Sequence, residues 1–199
     1  MLAIVDYKAG NLTSVQNAFA ALGVETTVTR DPAVLAAAER VVFPGVGAAG
    51  SAMANLRTFG LADAVKAAAH SGRPFLGICL GMQILFAHSE EDGGVDTLGV
   101  LDGQVKHFPD LPGFKVPQIG WNDVQERAPG ATPAAWAGRE FYFVHSYYAE
   151  VVPETVGVTE YAGTPFTAMV RKGRLWACQF HPEKSGRVGL DLLKEWLAC

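Results

Sequence analysis

Residues 75–83 read Phe75-Leu76-Gly77-Ile78-Cys79-Leu80-Gly81-Met82-Gln83. The apolar run 75–78 predicts a buried strand, and a helical pattern over 80–87 follows with no linker. A strand that passes straight into a helix sets the junction residue on a sharp, strained turn, so small neighbours are needed on both sides. Gly77 and Gly81 supply them, and the pattern is the thiol version of a nucleophile elbow. The N-terminus of the following helix aims partial positive charge at the sulfur and favours thiolate, the form that attacks. With three cysteines and 22 glycines in 199 residues, chance yields roughly 0.04 such matches. The plain alternative is a structural cysteine between packing glycines.

The same alternation extends towards the N-terminus. Residues 2–5 predict a strand, and residues 12–22 a helix with Leu12, Val15, Phe19 and Leu22 on one side and Gly23 as its stop. A strand over 24–28 precedes Asp31-Pro32, a helix cap and start. A strand over 41–43 ends at Pro44-Gly45, and helical patterns run on to His70. Such alternation implies a parallel sheet covered on both faces. Beyond it the sequence turns to strands: around 99–108, 115–124, 140–152, 156–161, 166–171 and 175–180. Arg171-Lys172-Gly173-Arg174 reads as a hairpin turn, residues 129–133 as an exposed loop, and 185–197 as a final helix. The expectation is one α/β domain over 1–199, with a mixed, mostly parallel sheet and helices on both faces.

Composition narrows the function classes. Hydrophobic residues make up 49% and charged residues 18%, with a net charge of -4. An acidic chain has no excess of Lys and Arg to bind nucleic acid or an anionic membrane. The best candidate for a membrane span, the uncharged run 74–89, is too short and carries Gln83 and His88. The N-terminus lacks the basic start of a signal peptide. Three cysteines without paired spacing exclude a disulfide framework and fit a reducing cytoplasm.

Two further motifs complement Cys79. His181-Pro182-Glu183 follows the strand 175–180. In an extended segment residues i and i+2 point the same way, so Glu183 reaches His181 and fixes its tautomer while the other nitrogen faces a thiol. Alone, the tripeptide is equally an ordinary turn. A zinc site from Cys79, His181 and Glu183 lacks the paired Cys-x-x-Cys or His-x-x-x-His spacing, so no metal is expected. Pro44-Gly45-Val46-Gly47 follows the third strand and is placed to give a peptide N–H near Val46 or Gly47. With Leu80 N–H this makes an oxyanion hole. Gly45 to Gly50 also matches Gly-x-Gly-x-x-Gly, but the acid of a dinucleotide site is missing and Asp63 comes too early. Cys178 reads as core and Cys199 as a mobile end. His70, His88 and His107 read as surface, and His145, on an aromatic strand, as core or pocket wall.

Gly-Ile-Cys-Leu-Gly-Met-Gln around Cys79 and Gln-Phe-His-Pro-Glu-Lys around His181 resemble class I glutamine amidotransferases. Asp6-Tyr7, Gly10-Asn11-Leu12, the Pro-Gly-Val-Gly loop, Pro117-Gln118-Ile119-Gly120-Trp121-Asn122 and Phe-Val-His-Ser-Tyr resemble, within them, the glutaminase subunits of imidazole glycerol phosphate synthase. Lys8 stands where that family usually has glycine. The resemblance implies a flavodoxin-like fold and no cofactor. It implies hydrolysis of glutamine to glutamate and ammonia by Cys79, His181 and Glu183, with Val46, Gly47 and Leu80 at the oxyanion hole. Gly47, Gln83, Glu91 and Ser146 would bind glutamine. Asn11, Pro117, Gln118, Trp121, Asn122 and Lys184 would lie near a (β/α)8-barrel cyclase partner that consumes the ammonia in histidine biosynthesis. Only 16 residues follow Glu183, too few for a synthase domain, so the ammonia acceptor is expected on another chain. The rival readings are another class I glutaminase, a non-enzymatic interaction module on the same fold, and a dinucleotide binder.

Overall fold

The computed structural model describes residues 1–8, 10–128 and 138–199. The expected loop over 129–133 lies outside the described residues. The first half alternates as the sequence predicts: β1 (Leu2–Val5), α1 (Leu12–Ala21), β2 (Thr26–Thr29), α2 (Pro32–Ala37), β3 (Arg40–Gly45), α3 (Ala49–Thr58), α4 (Ala62–His70), β4 (Phe75–Cys79) and the single turn α5 (Leu80–Gln83). Local chemistry starts the helices. Asn11 accepts from the Ser14 N–H at 3.2 Å, and Asp31 accepts from the Ala33 N–H at 2.8 Å ahead of Pro32. The second half holds β5 (His88–Ser89), β6 (Val95–Asp96), β7 (Gln104–His107), β8 (Gln118–Glu126), β9 (Arg139–His145), β10 (Tyr147–Ala149), β11 (Thr155–Tyr161), β12 (Thr164–Lys172), β13 (Leu175–Cys178) and α6 (Gly186–Leu197).

The main sheet runs β2-β1-β3-β4-β13-β12-β11-β8-β9. Its first five strands are parallel, and β12, β11, β8 and β9 add on antiparallel. Alternate residues of each strand face opposite sides. Ala3 and Val5 of β1 pack with α2, α3 and α4 through Leu35, Leu56 and Val65, whereas Leu2 and Ile4 pack with α1 and α6 through Phe19, Leu192 and Trp196. This α/β sheet with helices on both faces is the expected class. The hairpin at Gly173 is also as expected, with Lys172 opposite Leu175.

Three local expectations are corrected. The helix expected over 80–87 stops at Gln83, because the carbonyls of Ile84, Leu85 and Phe86 are taken by N–H groups of Leu98, Gly99, Val100 and Leu101. That pairing also removes 99–101 from the strand expected over 99–108, which is reduced to β7. The strand expected over 140–152 breaks at Ser146: β9 belongs to the main sheet, and β10 to a second, unexpected sheet of order β10-β7-β5-β6. His145 Nδ1, donating to the Tyr147 carbonyl at 2.8 Å, braces that break.

Register brings the carboxyl ends of three strands together. Gly45 lies opposite Cys79, and Ile78 opposite Cys178. The crevice outside such strand ends is where open α/β sheets place their ligands.

Candidate active site

Cys79 ends β4 and opens α5 with φ +54 and ψ -113, a left-handed conformation that side chains adopt only at a cost. The flanking glycines make the turn feasible. A Cβ on Gly81 would lie 1.8 Å from the Phe43 carbonyl oxygen, and one on Gly77 would lie 3.0 Å from Ala177 Cβ. Leu80 N–H is among the first free donors of α5. Cys79 is 6% exposed, with Gln179 Nε2 donating towards its sulfur at 3.7 Å.

His181 Nδ1 meets Glu183 Oε1 at 2.7 Å, with both side chains buried. With Nδ1 so held, Nε2 is the nitrogen left for Cys79. Burial pulls the imidazolium down. Hydrogen bonding and charge from Cys79, and then from Glu183, outweigh it and push His181 up to about 10. Glu183 arrives by a route other than the extended one expected: Pro182–Lys184 forms a single 3-10 turn. Pro182 suits the first position of such a turn, and the turn folds Glu183 back onto His181. Ser185 Oγ donates to the His181 carbonyl at 2.6 Å and accepts from Tyr142 N–H at 3.0 Å, which ties the turn to β9. Gly189 lets α6 close over it, since a Cβ there would lie 1.9 Å from the Pro182 carbonyl oxygen.

A cavity of about 400 Å³ opens in front of Cys79. Of the residues expected to bind substrate or oxyanion, Val46, Gly47, Leu80, Gln83, Glu91 and Ser146 line it, together with Pro117 and Lys184. Gln83 Nε2 donates to the Tyr147 carbonyl at 2.7 Å and to Gln179 Oε1 at 2.9 Å, so its amide hydrogens are spent on the wall. Glu91 Oε2 accepts from Ala49 N–H at 2.7 Å and Asp92 Oδ2 from Gly50 N–H at 2.9 Å. These carboxylates cap α3, whose own cap residue, Ala48, has no side-chain acceptor. Burial raises the Glu91 carboxyl. The capping also removes the dinucleotide reading: carboxylates already occupy the helix N-terminus where a pyrophosphate would sit.

The remaining expectations sort by burial. Cys178 is core, and burial pushes its thiol up. The His145 ring packs against Phe108, Phe143 and Phe166, so it is core although the residue also edges the cavity. Trp121 is 54% exposed beside Ile119 at 63%. Gln118 is buried instead, Asn11 caps α1, and Asn122 Nδ2 donates to the Glu160 carbonyl at 3.0 Å. Sequence reasoning missed Ser185, Gly189, Asp92 and Gln179. Their significance comes from partners far along the chain, and no local pattern marks them. Among the described residues, no group of three His, Cys, Asp or Glu side chains is placed to hold a metal, and no helix is long and apolar enough to cross a membrane.

The candidate site thus holds a left-handed cysteine at a strand–helix junction and a buried His–Glu pair in the turn beyond the end of the neighbouring parallel strand. The sequence profile of "Glutamine amidotransferase class-I" matches residues 3–197, and the chain belongs to that family. A solved structure described as a glutamine amidotransferase shares the fold, with a TM-score of 0.72 at 20% identity over 98% of this chain and 97% of the other. Within the family the chain groups with the HisH subunits of imidazole glycerol phosphate synthase. It is 50% identical to the one from Moorella thermoacetica, covering 98% of this chain and 93% of that one. It is 45% identical to the one from Methanothermobacter thermautotrophicus, covering 99% and 98%.

Proposed function

We propose that residues 1–199 form one amidotransferase domain, the glutaminase subunit of an imidazole glycerol phosphate synthase. Its partner would be a (β/α)8-barrel cyclase that uses the ammonia on a phosphoribulosyl-formimino-carboxamide ribotide, making imidazole glycerol phosphate. What supports the reading is a strained Cys79 lining a cavity sized for an amino acid, with the buried His181–Glu183 pair just beyond β13, the strand beside β4.

The Cys79 thiolate attacks the side-chain carbonyl carbon of glutamine. Leu80 N–H and a peptide N–H of the Val46–Gly47 loop hold the resulting oxyanion. The His181 imidazolium gives its proton to the departing nitrogen, the C–N bond breaks, and ammonia leaves a γ-glutamyl thioester. His181 then takes a proton from water, the hydroxide adds to the thioester, and glutamate departs as thiolate and imidazolium re-form. Glu183 holds Nδ1 throughout and balances the imidazolium charge. Glu91, with one oxygen on Ala49 N–H, keeps the other for the substrate ammonium; Gln83, Ser146 and Gly47 complete the wall. Asn11, Pro117, Gln118, Trp121, Asn122 and Lys184 are assigned to the rim or its support on the cyclase side. Free thiols at all three cysteines suit a reducing cytoplasm.

The test is glutamate release from glutamine by this chain mixed with a cyclase subunit and its ribotide ligand. Release that vanishes when partner or ligand is omitted is expected. Equal release by the chain alone would refute partner control, and release by Cys79→Ala would refute the mechanism.

A further inference from the structure

Tyr7 takes no part in the chemistry above. Its ring is fully buried against Phe43, with centroids 5.2 Å apart. Its hydroxyl is sealed from solvent and has no hydrogen-bond partner among the described residues. A buried O–H left so is destabilising, and phenylalanine would fill the same space without that cost. The hydroxyl therefore calls for a use outside the resting fold.

Its position suggests one. A Cβ built on Gly45 would lie 2.1 Å from Tyr7 Oη, 2.9 Å from Gly81 N and 3.0 Å from Leu80 Cβ. The hydroxyl thus sits between the end of β3 and the start of α5, beneath the two segments that offer oxyanion donors. Burial, and then the Cys79 charge, push Tyr7 up, so it remains an O–H donor. Upstream of Gly45 the backbone is held by Pro44 and the β3–β4 ladder. Downstream lie an exposed Val46 and Gly47 at φ +102, where a peptide turns over with little hindrance. When the Gly45–Val46 peptide aims its N–H into the cavity, its carbonyl points the opposite way.

We propose that Tyr7 is a positioning residue for the oxyanion-binding loop, its hydroxyl donating to the Gly45 carbonyl when the Gly45–Val46 peptide is turned for catalysis. This rests on the glutaminase reading above.

The test is Tyr7→Phe, assayed beside wild type in the ligand-loaded complex with the cyclase. The free variant is expected to melt no lower than wild type, because it loses only an unpartnered group. The KM for glutamine and the rate at which iodoacetamide alkylates Cys79 are expected to stay within about twofold, while kcat falls about tenfold. A fall in kcat of less than about threefold overturns the proposal. So does a lower melting temperature, which would mean the hydroxyl already has a partner, or a parallel loss of alkylation, which would place the effect on the nucleophile. A wild-type complex that releases no glutamate overturns the glutaminase reading itself. Active wild type with an equally active variant overturns only the role of Tyr7.

Discussion

At Cys79 the candidate nucleophile and its strain are one feature: φ +54 turns the chain sharply out of β4 and into α5. This much was legible in the sequence, because Gly77, Cys79 and Gly81 act on one another locally. Lys8 shows the same logic in reverse. It sits at φ +62, the conformation for which glycine is the low-cost residue at that place. Tyr7 was legible only as part of a motif, since its meaning depends on Gly45 and Gly81 in other elements. Glu183→Gln keeps the shape of the contact to His181 but drops its charge. Steady-state kinetics of the complex are expected to show a kcat loss on the order of 100-fold or more. The two buried histidines also set a pH window. His181, raised to about 10, adds stability that is full below about pH 6.5 and is lost as pH climbs towards 10. His145, with burial holding it down to about 4, stays neutral in the fold. The unfolded chain takes up its proton first, so stability falls as pH drops below about 6.5. Melting temperature should therefore peak near pH 6.5, and His145→Gln should flatten the acid side, which carries up to about 3 kcal/mol.

Between elements, the turn at 91–93 and the start of α3 behave as one unit. Helix capping is usually local, and here it comes from residues 42 positions away, so nothing in the sequence marks it, and the resemblance implied only a substrate role for Glu91. Asp92→Ala is expected to cost about 1 kcal/mol in denaturant unfolding, because Gly50 N–H then loses its acceptor. Gly189→Ala probes the other tight contact. Its Cβ would strike the Pro182 carbonyl, so unfolding should show a loss of about 1–3 kcal/mol. Activity should fall in the still-folded protein as well, because the His181–Glu183 turn moves. The sequence identified β4, β13 and α6 well because the two strands are short, continuously buried apolar runs and α6 keeps a helical period throughout. It overran α5 and merged β9 with β10 because apolar runs continue past the points where long-range hydrogen bonds end those elements.

At the scale of the molecule, and among the described residues, the face bearing Trp121, Ile119 and Phe114 is the largest departure from ordinary burial, with exposures of 54%, 63% and 49%. The Trp121 ring packs edge-on to Tyr142 at 6.3 Å, and Lys184 Nζ lies 6.0 Å over the same Tyr142 ring. A short aromatic link thus joins the exposed face to the residue next to Glu183. Trp121→Ala is expected to leave the melting temperature of the free chain within about 2 °C while weakening cyclase binding by about 2 kcal/mol, measured by titration calorimetry. The parallel half of the sheet was legible from strand–helix alternation. The second small sheet was not, because β5 and β6 are two residues long and leave no period to detect.

The place of β13 has a consequence for synthesis on the ribosome. It lies between β4 and β12 yet follows both in chain order, and it brings Gln179 to Cys79 from 100 residues away. Until β13 emerges, the nascent polypeptide has a thiol without its base, so it cannot squander glutamine. During the same interval β4 and β12 are apolar strands with open edges. Late closure of a non-local sheet is slow and prone to misassembly. The arrangement that would withhold activity from a partial chain also leaves two apolar strand edges unpaired until β13 arrives.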